Sequence, residues 1–137
     1  MAKITGAEAH LKRVRKMTAG MRQEAGKLVL VLADLHATEA ALLVTNGAVS
    51  GKNHVASSPG EAPNADTHTL DRSIHAERTG LLKAQSIADA PYAAKLELGD
   101  GALVERPFMR PAARKVRIAS RKLADAAMKV VVRGGKL

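Results

Sequence analysis

The first third of the chain carries apolar residues at helical spacing. Leu11, Val14, Met21, Ala25, Leu28, Leu32, Leu35 and Leu42 recur at steps of three and four or their sums, which places them on one face of a helix. Thr5 and Glu8 suit a capping box, in which hydroxyl and carboxylate each satisfy a free backbone N–H. Asn46-Gly47 suits the other end. The pattern predicts a helix over residues 6–44, roughly 58 Å long at 1.5 Å per residue. Gly20 and Gly26 interrupt it at a cost of about 1 kcal/mol each against Ala; they mark either a kink or the close approach of a neighbouring subunit.

Beyond this helix the periodicity stops. Residues 46–66 are rich in Gly, Pro, Ser and Asn, which predicts a long exposed loop of the kind that is usually functional or mobile. Weak alternation in residues 73–77 and again in 83–88, with Thr79-Gly80 between, predicts a hairpin. Residues 92–98 read as a short helix in preference to a third strand, and 99–105 as a loop. Pro107 and Pro111 bracket the start of a last helix, about 107–133, because Pro is tolerated in a first helical turn. Val116, Leu123, Ala127 and Val130 or Val131 form its apolar face. Gly134-Gly135 ends it, although Val130-Val131-Val132 is also compatible with a terminal strand.

Composition changes the picture in three ways. At 137 residues and 46% apolar content the chain is one folded domain, yet Tyr92 and Phe108 are its only aromatics. A core of Ala, Leu, Val and Met removes less apolar area per residue, so some apolar surface is expected to wait for a partner subunit. There is no Cys, which excludes disulfides and thiolate chemistry. The longest apolar run, residues 28–33, is too short for a membrane span and no secretion signal is visible, so a soluble product made in the cytoplasm is expected. The net charge of +9 is unevenly placed. Residues 1–45 hold 7 basic and 4 acidic side chains, residues 46–109 hold 6 and 8, and residues 110–137 hold 9 and 1. Arg114, Lys115, Arg117, Arg121 and Lys122 make the last helix a basic patch suited to nucleic acid or an acidic protein surface.

Catalytic signatures are missing. The five His show no H-E-x-x-H spacing, and the glycines before Lys27 and Lys52 are wrongly spaced for a phosphate loop. No Ser sits in a nucleophile elbow. His68, Asp71, His75 and Glu77 cluster in sequence but read as a polar surface around a turn. No enzyme activity, cofactor or metal is expected.

The strongest signal is a motif. Tyr92-Ala93, Glu97 and Gly99, then Arg106-Pro107-Phe108-Met109-Arg110-Pro111-Ala112, resemble the "YA-x-x-x-E-x-G" and "RPF-x-RPA" segments of the tail-component, or neck, protein family of long-tailed double-stranded DNA bacteriophages. Pro59-Gly60-Glu61-Ala62-Pro63 with Asp66-Thr67, Leu70 and Ser73-Ile74 is similar to the family's "PGEPP…DTG-x-L-x-x-SI". The departure is His68, which stands where the family usually has a Gly suited to positive φ. The resemblance implies an α+β fold, with a long N-terminal helix and a C-terminal helix packed on a small antiparallel sheet and long exposed loops. It implies a virion structural protein that builds a homo-oligomeric ring in the neck or at the head-proximal end of the tail. The ring is expected to be six-fold, or twelve-fold nearer the portal. Adjacent head-closure or connector rings and tail-terminator or tail-tube rings would be its partners, with non-specific contact to passing genomic DNA and no membrane. In that reading loop 46–66 is an arm reaching a neighbour. Pro59, Gly60, Glu61, Pro63, Tyr92, Glu97, Arg106, Pro107, Phe108 and Arg110 are the candidate interface residues. Glu97 is expected to accept a charge-assisted bond from Arg106 or Arg110 that pins loop 99–105. The other reading is a small basic nucleic-acid-binding protein without enzymatic activity, carried by the charged last helix.

Overall fold

The computed structural model describes residues 6–133 and 137. In chain order the elements are α1 (Ala7–Thr45), a 3₁₀ turn (Gly51–Asn53), α2 (Thr69–Ser73), β1 (Ile74–Gly80), β2 (Lys83–Ala88), α3 (Ala93–Leu98) and α4 (Met109–Val132). The fold is α+β. A long N-terminal helix and a C-terminal helix pack together, and α1 also covers the two-stranded antiparallel sheet β1-β2. A lone hairpin is marginal in water, so this one depends on α1 for its stability. The expected capping role of Thr5 and the Gly134-Gly135 stop lie outside the described residues.

The core is small and centred on the second half of α1. Ala40, Val44, Ala65, Leu70, Ala90, Ala93, Phe108 and Ala112 form one buried cluster. Phe108 and Val44 are its largest fully buried side chains. The buried line along α1 is Glu24, Gly26, Ala37, Ala40 and Val44, not the predicted Leu-rich face. Leu11, Val14 and Leu42 are exposed, and Leu28, Leu32 and Leu35 are only half-buried. Small residues win the contact line because the hairpin and α4 approach the α1 backbone closely, and larger side chains are pushed to the flanks of the contact.

Gly26 is the clearest case. A Cβ there would lie 2.4 Å from the Leu81 carbonyl oxygen, and Arg78 Nη2 donates to the Gly26 carbonyl at 3.1 Å. The close neighbour is therefore the chain's own hairpin rather than another subunit. Gly20 faces open space. The hairpin turn is Leu81-Leu82, two residues beyond the predicted Thr79-Gly80, because a register irregularity between Arg78 and Gly80 absorbs the glycine within β1.

A second tether went unread in the sequence. His36 of α1 meets Ser86 of β2 through Nδ1 and the Met109 carbonyl of α4 through Nε2 at 2.9 Å. A carbonyl only accepts, so Nε2 carries the proton. One imidazole thus joins three elements.

α4 begins later than expected, at Met109, with Pro111 in its first turn. Val130, Val131 and Val132 are helical, so the terminal-strand alternative falls. Ala112, Val116, Ala127 and Val131 are its buried positions, while Leu123 and Val130 remain exposed. Residues 92–98 form the expected short helix after Tyr92.

Replacing Gly26 by Ala is expected to cost about 1–3 kcal/mol by overpacking against the hairpin. Gly20→Ala is expected to gain roughly 0.5–1 kcal/mol from helix propensity alone. Urea denaturation of the two variants checks the opposite signs.

Candidate assembly interface

The motif residues converge on the start of α4. A helix leaves its first N–H groups without intrahelical acceptors, and the Glu97 carboxylate supplies them. Its Oε2 accepts from the N–H groups of Phe108 and Met109 at 2.8 and 2.9 Å. Its Oε1 accepts from the N–H and the Nε of Arg110 at 2.9 and 3.0 Å. Arg110 then reaches back with Nη2 to the Glu97 carbonyl and to Glu105, both at 2.6 Å. Burial alone would raise the Glu97 carboxyl, but the three backbone donors and Arg110 outweigh it and hold it below the usual carboxylate range.

Glu97 therefore pins α3 to α4 and holds loop 99–105 through Arg110. Arg106 serves elsewhere. Its N–H donates to the Leu96 carbonyl at 2.6 Å, and its Nη1 approaches Ser57 Oγ at 3.4 Å. Loop 99–105 is closed by Asp100, whose Oδ1 accepts from the N–H groups of Ala102 and Leu103. Gly99 turns at φ 72°, and a Cβ there would lie 2.8 Å from the Leu103 carbonyl.

The two motif blocks, far apart in sequence, meet in space. The Gly60 N–H donates to the Glu105 carbonyl at 2.9 Å, and the Arg106–Ser57 contact lies beside it. Loop 46–66 is laid on the body, which corrects the expectation of a projecting arm. The Ala65 N–H donates to the Val44 carbonyl and the Gly51 N–H to Asp66. Asn64 holds the Val55 carbonyl, and Ser57, Pro63 and Ala65 are buried. Pro59, Gly60 and Glu61 remain exposed, and Tyr92 is partly so. Pro63 and Phe108 lie inside the protomer, so they anchor the fold and offer no surface to a neighbour. Pro107 is half-buried.

His68 is the only non-glycine at positive φ among the described residues, at 59°. It adopts the conformation that a Gly would take without strain. Its ring spans Ser50 Oγ at 3.1 Å and Asp71 Oδ2 at 3.2 Å. The sequence Ser50–His68–Asp71 has the connectivity of a nucleophile, base and orienting acid. The surroundings do not suit that chemistry. The neighbouring Gly51 N–H is committed to the Asp66 carboxylate, which places a negative charge beside the serine, where an acyl-transfer site needs free donors. We read the chain of bonds as the clamp that holds His68 in its left-handed turn.

A cleft of about 280 Å³ runs between this turn, Tyr92 and Arg106. Asp71 Oδ1 and Arg106 Nε are buried without partners among the described residues; the cleft is polar and large enough for water to serve both. His75 contacts the Ser73 carbonyl and lies 3.7 Å from Asp89, apart from the His68–Asp71 pair. No three His, Asp or Glu converge on a metal position among the described residues.

The basic patch is on the outside. Arg114, Arg117, Arg121 and Lys122 are exposed and make no ion pair among the described residues. Lys115 pairs with Glu39 of α1 at 2.5 Å. By length and composition α1 could cross a membrane, with a mean hydropathy of 1.7 over its most apolar 18 residues. The unbroken run counted in the sequence understated this. Asp34, His36 and Glu39 nevertheless lie along that helix, and two of them hold α4, so we read α1 as the packing helix of the domain.

No family model matches the chain, and no curated protein or solved structure is similar to it.

Glu97→Gln is expected to destabilise the protein by about 1–3 kcal/mol at pH 7, since a charged acceptor of four donors is lost. The folded-state carboxyl titrates below its unfolded value, so its contribution is complete above the usual carboxylate range and disappears as pH falls through the lowered value. Chemical denaturation at pH 7 and pH 3 should show the gap between wild type and Glu97→Gln narrowing in acid.

Proposed function

We propose that the chain is a virion structural protein of a long-tailed bacteriophage, forming a ring in the neck or at the head-proximal end of the tail and surrounding the DNA channel. One observation carries the reading. The two sequence blocks that resemble the tail-component family come together as a single unit, in which Glu97 caps α4 and Gly60 bonds to Glu105. The positive φ of His68, where that family usually has Gly, supports the same register. The exposed Pro59-Gly60-Glu61 turn, Tyr92 and Arg110 are the part of this unit that a neighbouring ring would meet. The function is assembly, with the rigid Glu97 node presenting the turn in one orientation.

Electron microscopy of a lysate from the parent phage with this gene disabled tests the proposal. Full heads beside separate finished tails are expected. Intact infectious particles would overturn it.

The second reading, a nucleic-acid binder, rests on Arg114, Arg117, Arg121 and Lys122 of α4, which are exposed and make no ion pair among the described residues. Neutralising several phosphates would make affinity fall steeply with salt. The ring reading expects only weak DNA binding at about 0.15 M salt, at or above the 10⁻⁶ M range typical of non-specific contact. It also expects joint substitution of Arg114, Arg117 and Arg121 by Ser to impair head–tail joining more than DNA binding. Tight DNA binding that the triple variant abolishes, measured by fluorescence anisotropy across a salt series, would favour the second reading.

A further inference from the structure

Residues 7–20 of α1 are all exposed. Leu11, Val14 and Met17 nevertheless form a stripe along this segment, 53%, 42% and 50% accessible. The stripe continues through Met21 and Leu28 into the half-buried flank of the core. Lys12, Arg15 and Lys16 fall on the opposite side of the same turns. The helix therefore carries its apolar seam about 20 Å beyond the point where its own chain covers it.

The same chain offers a receiver. Between α1 and α4 lies a groove of about 570 Å³ lined by Leu28, Leu30, Val31, Leu123, Ala126 and Val130. Of the cations at its edge, Lys27 is paired with Glu24, and Arg78 is bonded to the carbonyls of Gly26 and Leu81.

The exposed area leaves room for a second copy there. A compact monomer of 14.4 kDa exposes about 6,800 Å², whereas this chain exposes 9708 Å². The excess is roughly 2,900 Å², against about 800 Å² per partner in a stable interface. It is enough for two such faces on every copy, one given and one received. We propose that the projecting first half of α1 in one copy lays Leu11, Val14 and Met17 into the α1–α4 groove of the next copy. The two faces differ, so the contact is heterologous and closes a ring if its rotation permits.

Charge gives the contact a distinctive signature. The arm carries Lys12, Arg13, Arg15, Lys16 and Arg22 against Glu8 alone, and α4 is also strongly basic. Two cationic elements joined by an apolar seam repel less as salt screens them. Self-association therefore strengthens as salt rises, whereas binding of the same arm to nucleic acid or to an anionic lipid surface weakens.

Sedimentation velocity of the full chain at about 0.05 and 0.5 M salt, either side of the physiological screening range, tests this without any variant. The expected result is an oligomer whose fraction rises with salt. Leu11→Asp with Met17→Asp, and separately Leu123→Asp, should each give monomers that keep the cooperative unfolding transition of the body, because these side chains are exposed in the protomer, with any loss of helical circular dichroism confined to the uncovered arm. Mixing the two variants should restore one good arm and one good groove, and so yield a pair that grows no further. The proposal is overturned by a monomer at both salts, by association that weakens with salt, by variants that assemble like wild type, or by a wild-type monomer that binds anionic vesicles through the stripe. The inference shares self-association with the proposed ring but not its place in a virion. Particle morphology tests that place, and the solution oligomer tests this contact.

Discussion

The Glu97 carboxylate lies where the last helix starts, and its four donors come from three consecutive residues. A partly buried carboxylate is costly unless it is paired; here the unmet N–H groups of α4, the positive end of its dipole and the Arg110 guanidinium offset that cost together. The geometry also fixes direction. α3 must end beside the first turn of α4, Phe108 must enter the core, and Arg110 must fold back over loop 99–105 to Glu105. Through the Glu105 carbonyl the node reaches Gly60, so the orientation of the Pro59-Gly60-Glu61 turn depends on a side chain about forty residues later. On the proposed reading, in which this turn meets a neighbouring ring, charge-assisted bonds here would fix its orientation.

The body beneath this node is built from small residues. Ala37, Ala40, Ala65, Ala90, Ala93 and Ala112 are buried, which lets helices and hairpin approach closely but removes little apolar area per residue. Close approach explains the tethers that accompany it. His36 bridges α1, β2 and α4, and Arg78 bonds the Gly26 carbonyl, so that polar backbone atoms trapped by tight packing find partners.

Legibility in the sequence followed the physical source of each element. The helices and the hairpin could be read because period and Pro placement are local signals. The buried face of α1 could not. The Leu pattern marks where apolar side chains recur, whereas burial was decided by which backbone the hairpin approaches, and that favoured Gly26 and Ala40. In the candidate site Glu97, Arg110 and the pinning of loop 99–105 were legible from the motif. The carboxylate's larger task, accepting from the backbone of α4, needed the three-dimensional placement of α3. Of the two arginines that charge offered to Glu97, Arg110 is the partner, whereas Arg106 meets the Leu96 carbonyl and Ser57. Composition made residues 46–66 an exposed loop, and only the resemblance made that loop an arm. Its bonds to Val44 and Glu105 come from backbone groups, which residue types do not encode.

The mismatch between area and core bears on how such a chain stays folded. α1 spans about 58 Å, while a compact chain of 137 residues has a radius of gyration near 14 Å, so part of the helix must leave the body. An isolated helical segment of that length is marginal in water, and an apolar stripe along it gains nothing until something covers it. With only Tyr92 and Phe108 to enlarge the core, the stripe stays uncovered by the described residues, and the proposed contact between copies would cover it. The segment that projects is also strongly cationic, so separate copies repel at low ionic strength, and the proposed association is left to the apolar seam once screening is sufficient. On the proposed contact, the uneven charge of the chain would govern when copies associate, and the small-residue core is the reason they would gain by it.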